Sequence, residues 1–382
     1  MPADGRVVKI VINAFSARLG GGKTYLHNLL ARLPEAAALD IRIFCPDDLP
    51  LPPDPRIQRA TTSWPTSNPL LRALWEKIAL PRYLAKEKAD ILFCPGGVVA
   101  TKASRSVKIV TMFRNMIPFD PQLVAAMPWG LMRLRNIILK RVMLKSMAQA
   151  DLTIFISDHA RGVIEALRRI SNPLTIPHGI SDLFRVQAAK PPKPATAPNA
   201  PYILYVSRFD VYKHHDNVVE GFAALPPALR DRYKLVFLGE TDLPPFETVQ
   251  RRIAELELGS TVVIGGAVPY DSLPGWYAHA DAILFASSCE NCPNILLESL
   301  GAGRPVLSSD VMPMPEFGGP DLAYFSPLDP QSIATALHEL LAIPMRAAAI
   351  ANAAQERSRL YDWDITAKKT WEAIVTLAGD EK

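Results

Sequence analysis

The stretch Ser287–Pro305, SSCENCPNILLESLGAGRP, decides how the rest of the chain is read. It follows an apolar run, Ala282 to Ala286, of the length and composition expected of a strand buried on both faces of a parallel sheet. Helical composition then sets in over Ile295 to Ala302. It ends in Gly301 and Gly303 with Pro305 beyond, which are helix stop signals. Pro293 suits the first turn, where a missing N–H is no loss. The amides of Asn294, Ile295 and Leu296 are then expected to point out at the carboxyl end of the strand, an anion site strengthened by the helix dipole. Glu290, before the helix, and Glu298, about one turn into it, bracket that site with seven residues between them. A phosphate on the helix N-terminus would have a carboxylate on each side to hold sugar hydroxyls.

Working outward, 382 residues are too many for one comfortable core, and two domains of about 150–200 residues are expected. Apolar content of 49% with 21% charge is ordinary globular composition. The start, MPADGRVVKIVINAF, reads as a strand rather than a signal, and no apolar run is long enough for a membrane span. Cys45, Cys94, Cys289 and Cys292 are few and suit a reducing cytosol. Cys289 and Cys292 form a C-x-x-C, but with neither a second pair nor a thioredoxin-like context they call for no metal or redox role. Residues 1–186 carry a balance of +12 and residues 187–382 one of −8, so the first half is expected to meet something anionic. Basic residues there lack aromatic interleaving, which disfavours nucleic acid.

Strands at Val7 to Ala14, Ile41 to Cys45, Ile91 to Cys94, Lys108 to Phe113 and Asp151 to Ile156 alternate with helical segments, which implies a parallel sheet. After the first strand comes Arg18-Leu19-Gly20-Gly21-Gly22-Lys23, a loop whose amides could cradle phosphate before a helix starting near Thr24. It is not a P-loop, because that motif needs glycine where Ala17 stands. Met127 to Ala148 holds Arg133, Arg135, Lys140, Arg141 and Lys145 with no acid between Asp120 and Asp151. Met127, Leu131, Leu134, Ile138 and Val142 make one helical row, with Arg133 and Lys140 opposite. Such a helix could lie on anionic lipid, with Arg133, Arg135, Lys140 and Arg141 as contacts, or be a domain helix with solvated basic ends. Ala188 to Pro201, AAKPPKPATAPNAP, reads as a linker. A second series of strands follows at Tyr202 to Val206, Lys234 to Gly239, Thr261 to Gly265 and Asp281 to Ala286. Arg208 and Lys213 come off the first of these, where two cations can neutralise a diphosphate. His214 and His215 read as solvated.

The E-x7-E followed by G-x-G-x-P, within ENCPNILLESLGAGRPVLSSDVMPMPEFGG, resembles the signature of retaining GT-B glycosyltransferases of the family 4 type (glycosyl transferases group 1). The resemblance implies an α/β protein of two Rossmann-like domains with parallel sheets facing a cleft, and a C-terminal helix crossing back to the N-terminal domain. On this chain the parts would be residues 1–187 for the acceptor, 188–201 as linker, 202–362 for the donor and 363–382 as the returning helix. It also implies roles. Arg208 and Lys213 hold the departing phosphates, with Gly21, Gly22 and the backbone of Asn294, Ile295 and Leu296. Glu290 orients the donor sugar, Glu298 takes the ribose and Val268 lies near the base. Where the family often carries a His-Asp pair, this chain has Arg114-Asn115. That leaves Asn115 as a hydrogen-bonding substitute and no histidine base. His178 is expected to be structural.

The expected activity is transfer of a hexosyl unit, mannosyl-like, from a GDP or UDP sugar to a glycan or lipid-diphosphate-linked acceptor in bacterial surface polysaccharide synthesis. No metal or cofactor is expected, and the place is the cytoplasm or the inner face of the membrane. A nucleotide-sugar epimerase on the same architecture and a non-catalytic nucleotide-sugar-binding protein are the alternatives.

Overall fold

A computed structural model of the chain describes residues 6–17, 20–186 and 189–379. Arg18 and Leu19 of the glycine-rich stretch, and Gln187 and Ala188 at the head of the Pro/Ala-rich one, lie outside the described residues. The chain divides into two units, residues 1–178 with 363–382, and residues 179–362.

The first unit is built on a seven-stranded sheet of β1 (Val8–Asn13), β2 (Leu39–Phe44), β3 (Ile57–Arg59), β4 (Ile91–Cys94), β5 (Lys108–Phe113), β6 (Leu152–Phe155) and β7 (Pro173–Thr175). Its order is β3-β2-β1-β4-β5-β6-β7, with every neighbouring pair parallel. Ile10 stands against Ile41 on one side and Ile91 on the other, and all three are fully buried. That is why these strands read as continuous apolar runs, helices covering both faces of the sheet. The helix Pro69–Glu87 starts where Asn68 accepts hydrogen bonds from the amides of Leu70 (2.9 Å) and Leu71, with proline at the first position. It buries Trp75, Leu80 and Leu84 against Phe15, Phe44 and Leu92.

The last helix, Trp363–Gly379, belongs to this unit. Trp371 Nε1 donates to the Leu29 carbonyl (3.0 Å) and Thr366 to that of Pro177 (2.8 Å). His178 is buried and stacked between Tyr25 and Trp363 at 5.4 Å from each. Packing, not proton transfer, accounts for its position.

The second unit repeats the plan with β8 (Tyr202–Val206), β9 (Lys234–Leu238), β10 (Val262–Gly266), β11 (Ala282–Phe285), β12 (Val306–Ser309) and β13 (Ala323–Phe325), in the order β10-β9-β8-β11-β12-β13, again all parallel. The Pro/Ala-rich stretch is part of this unit rather than a free linker. The Pro191 carbonyl lies 2.9 Å from His279 Nε2, and a Cβ at Gly275 would sit 2.4 Å from the Pro192 carbonyl. Prolines set the chain extended with carbonyls outward, and those carbonyls dock on the helix Leu273–His279. The division therefore falls at His178/Gly179, earlier than composition suggested.

The basic stretch of the first unit is two segments, not one. A short helix, Pro121–Ala126, stops at Met127, where Pro128 forces the preceding residue to extended backbone (ψ 134°). A new helix runs over Leu131–Gln149. Met127 therefore drops out of the expected apolar row, and the rest of that row faces outward. Leu131, Leu134 and Ile138 are 88%, 53% and 50% exposed.

Candidate active site

In the second sheet β8 leads to β9 on one side and β11 to β12 on the other, so the strand order reverses between β8 and β11. Loops leaving a reversal point diverge and open a crevice at the strand carboxyl ends, the usual ligand site of a doubly wound sheet. Lys213 follows β8 and Glu290 follows β11. They lie 77 residues apart, and Lys213 Nζ pairs with Glu290 Oε1. Ser287 Oγ donates to the same Glu290 oxygen at 2.7 Å.

The two loops are tied by backbone and side chain. The Ser288 amide donates to the Tyr212 carbonyl (2.9 Å), and His214 Nε2 lies 2.7 Å from Ser288 Oγ. Asp210 caps the turn Val211–Lys213 by accepting from the Val211 amide, and His214 takes left-handed backbone (φ 48°) to enter the helix His215–Ala223. Tyr205 OH holds the Lys213 carbonyl at 2.8 Å. The Lys213 ammonium stands 5.0 Å from the Phe285 ring and 5.3 Å from that of Tyr212, in a buried aromatic setting. His214 is half-buried and His215 buried, so neither is the freely solvated side chain expected. His215 is stacked on Phe209 (4.1 Å) and Tyr205 (4.7 Å), and burial, with Lys213 adding to it, pushes its imidazole down to about 3.

Arg208 lies on the surface, gripping Asp242 with two bonds of 2.6 and 3.1 Å, and this bond holds the Asp242 carboxyl below its usual range.

The helix after Glu290 begins at Asn294 with Pro293 in the capping position and no side-chain cap, so Pro293 stands one residue before the first turn. The Asn294 amide does not point out for a ligand, because it donates to the Cys292 carbonyl at 3.0 Å. The first-turn amides of Ile295 and Leu296 have no partner within the helix itself. Cys289 and Cys292 are buried and form no disulfide.

Glu298 receives a hydrogen bond from Tyr270 OH (3.0 Å). Burial pushes its carboxyl up to about 8, and the Tyr270 bond opposes that rise. Tyr270 lies in the loop after β10, which also carries the half-buried Val268.

In the first unit Gly21 and Gly22 are not in a loop. The helix Gly21–Leu30 begins at Gly21, three residues earlier than expected, behind Gly20 at φ 49°. A Cβ on Gly22 would lie 3.3 Å from Ala17 Cα and 3.6 Å from an Arg114 nitrogen, so Arg114 reaches this helix start. Asn115 Oδ1 accepts from the Ile117 amide at 3.2 Å, bracing the turn after β5. Of the four basic residues assigned to lipid, Arg133 folds back over the Trp129 ring (4.0 Å) and Lys140 stands 5.6 Å from that of Phe119, while Arg135 and Arg141 are exposed.

Residue patterns did not single out Ser287, Tyr270 or Glu76. Glu76 carried a usable signal, since it shares a helical row with Leu80 and Leu84. It is 5% exposed and accepts from Asn13 Nδ2 (2.9 Å) and the Ala100 amide (3.1 Å). Burial raises its carboxyl above the ordinary range.

Two doubly wound parallel units, one with a largely buried lysine–carboxylate pair at its reversal point, define an α/β chain of the ligand-binding, switch-point type. The description "Glycosyltransferase Family 4" fits residues 19–184 and "Glycosyl transferases group 1" fits residues 186–357. Between them the two account for nearly the whole chain, which belongs to the family 4 type of glycosyltransferases on the GT-B fold. It is 29% identical over 121 residues to the O-antigen chain mannosyltransferase B of Escherichia coli, a match covering 31% of each chain. It is 29% identical over 161 residues to the GDP-mannose-dependent alpha-(1-6)-phosphatidylinositol monomannoside mannosyltransferase of Mycolicibacterium smegmatis, covering 39% of this chain and 41% of that one. The chain thus spans less than half the length of these curated relatives. HepE of Anabaena, solved in complex with UDP-glucose, shares the fold at a TM-score of 0.71 and 17% identity, over 96% of this chain and 99% of that one.

Proposed function

We propose that the chain moves a hexosyl unit, mannosyl-like, from a GDP or UDP sugar to an acceptor hydroxyl with retention of anomeric configuration. The observation that carries this reading is the largely buried Lys213–Glu290 pair at the reversal point of the second sheet. An ammonium has three donors. One is engaged by Glu290, and the others can turn to the phosphate oxygens that gain charge as the sugar–phosphate bond breaks. Arg208 exchanges Asp242 for the same phosphates. Glu290, held by Ser287 and Lys213, orients the sugar. Glu298 and Tyr270 take the ribose hydroxyls, and backbone near Val268 meets the base.

The bond from the anomeric carbon to the leaving phosphate breaks, and the acceptor oxygen bonds to that carbon. The acceptor's proton goes to the departing phosphate. Cationic side chains and amides neutralise the diphosphate, so the reaction runs without metal or cofactor. The similarity to an O-antigen chain mannosyltransferase and to a phosphatidylinositol monomannoside mannosyltransferase supports a mannosyl donor and an acceptor in surface polysaccharide or glycolipid assembly. The place of action is the cytoplasmic face of the membrane, by peripheral contact through the basic helix Leu131–Gln149. No single helix among the described residues is long and apolar enough to cross a bilayer.

The test is transfer from GDP-mannose and UDP-glucose to a membrane-lipid extract in the presence of EDTA, with proton NMR of the product linkage. A product of unchanged anomeric configuration supports the reading. An inverted product, or transfer abolished by EDTA, overturns it. Donor rearranged without any acceptor identifies an epimerase instead.

A further inference from the structure

His214 is an unusual residue for the place it holds. It is the cap of the helix His215–Ala223, where Ser, Thr, Asp or Asn would accept hydrogen bonds from first-turn amides, yet its imidazole makes no such bond. Its backbone is left-handed, at φ 48° and ψ 40°. Glycine enters that region freely, whereas a residue with a Cβ does so only at a cost in free energy. Such residues persist where their surroundings hold them, and they gather at functional sites. Here the imidazole crosses to the other loop of the crevice. Nε2 lies 2.7 Å from Ser288 Oγ, 74 residues on in the chain. The Ser288 amide donates to the Tyr212 carbonyl at 2.9 Å. Ser288 therefore holds both neighbours of Lys213, Tyr212 through its backbone and His214 through its side chain. The other restraints on the Lys213 backbone, its amide on the Asp210 carbonyl (3.0 Å) and Tyr205 OH on its own carbonyl (2.8 Å), come from β8 and the turn itself. Ser287, the residue before Ser288, donates to Glu290. Two adjacent serines thus hold the two partners of the ion pair, one directly and one through the lysine's neighbours. Burial keeps the His214 imidazole below its ordinary range, with Asp216 opposing, so at neutral pH it adds no like charge beside Lys213.

We propose that His214 is a positioning residue for the transfer reaction: with Ser288 it forms a latch across the crevice that fixes where the Lys213 ammonium stands relative to Glu290 and the departing phosphates. The inference rests on the reading of the chain as a transferase and adds a residue that acts through Lys213. With the latch closed, the lysine side chain starts from a backbone held on both flanks by one residue of the facing loop. Without it only the Tyr212 tie crosses the crevice, and the turn Val211–Lys213 is free to swing about that bond. The attraction between an ammonium and a phosphate depends on their separation. Charge on the leaving oxygen is greatest as the bond breaks, so a displaced ammonium slows the chemical step more than it weakens donor binding. A role in capping or packing alone would appear in stability and leave the chemical step untouched.

The test is a double-mutant cycle of His214→Gly and Ser288→Ala, read as steady-state release of nucleoside diphosphate from GDP-mannose or UDP-glucose with a membrane-lipid extract as acceptor. Each single variant should lower kcat about 10-fold and move the donor KM less than about 3-fold. The double variant should be no slower than the slower single, because both changes open the same latch. His214→Gly should keep a Tm close to that of wild type, since glycine relieves the left-handed backbone. His214→Gln, whose side-chain amide reaches about as far as Nε2, should recover most of the lost rate. Unchanged kcat in either single variant, losses that multiply in the double variant, or a His214→Gln as slow as His214→Gly overturns the proposal. A fall in Tm at unchanged kcat assigns His214 to stability alone and also overturns it. Ser288→Ala leaves the left-handed backbone in place, so it decides the matter even if His214→Gly fails to fold. Nitrogen-15 NMR of the imidazole separates this proposal from the reading it rests on. The His214 Nε2 resonance should shift in Ser288→Ala whether or not donor is turned over. A shift without turnover in wild type overturns the transferase reading and the latch's part in it, whereas turnover without a shift overturns the latch alone.

Discussion

The crevice of the second unit and the cavity of about 900 Å³ that Glu76, Leu134 and Ile138 help to line in the first are built at the same kind of place, a reversal of strand order, yet from opposite materials. Around Glu290 the polar groups are largely buried and already partnered: Lys213 and Ser287 on the carboxylate, Tyr205 on the Lys213 carbonyl, and the Ser288–Tyr212 backbone tie. Around Glu76 only the floor is satisfied, and the wall of leucine and isoleucine stands in solvent. A preorganised set of charges stabilises charge that develops during reaction, because no reorganisation is needed at that moment. An exposed apolar wall gains free energy only when something covers it. On the proposed reading, the chemistry falls to the second unit.

The contrast breaks most visibly at the ion pair. Glu290→Ala and Lys213→Ala should each lower turnover by about 100-fold or more while donor hydrolysis falls with it, as measured by steady-state release of nucleoside diphosphate. Near-normal turnover in both would move the chemistry elsewhere. Next in size, Leu134→Asp combined with Ile138→Asp should raise the KM for a lipid acceptor about 10-fold and leave the donor KM alone. A change in donor KM of the same size would erase the division of labour between units. Arg208→Ala is expected to cost about 10-fold in kcat/KM, roughly 1.4 kcal/mol, because this arginine is exposed and must first leave Asp242.

Glu298 gives a smaller, pH-dependent signature. Its folded carboxyl titrates near 8 against an ordinary 4.5, so between those values the folded state holds a proton that the unfolded state has lost. That stabilisation is present below about 4.5 and is lost as pH rises to about 8. Glu298→Gln should therefore gain in Tm relative to wild type as pH is raised from 5 to 8, and a constant difference would refute the burial argument. Smallest of all, Asp242→Asn should lower the donor KM by up to about 3-fold, since an exposed ion pair competes only weakly for Arg208.

Much of the scaffold was legible because buried parallel strands are continuous apolar runs, as in Ile91 to Cys94 and Ala282 to Phe285. Ile57–Arg59 and Pro173–Thr175 were not, since three residues are too few to show a period and only Ile57 among them is buried. Glu290 and Lys213 were each legible as loop residues at strand ends. Their pairing was not, because it depends on β8 lying beside β11, which is a property of the whole sheet. The Asn294 amide was misread because its turn to Cys292 leaves no trace in residue type. Gly21 was misread as loop because glycine is a poor helix former, yet tertiary packing of Tyr25 and Leu26 carries the helix back to it. The outward aim of Leu134 and Ile138 was hidden for a related reason: a helical row shows that a face exists, not what covers it.

The account stands most directly on where a nucleoside diphosphate binds. Calorimetric titration of GDP and UDP into wild type, Lys213→Ala and the Leu134→Asp, Ile138→Asp double variant should show one nucleotide binding to wild type and the double variant alike, with at least 10-fold weaker binding to Lys213→Ala. Equal affinity for wild type and Lys213→Ala would contradict it.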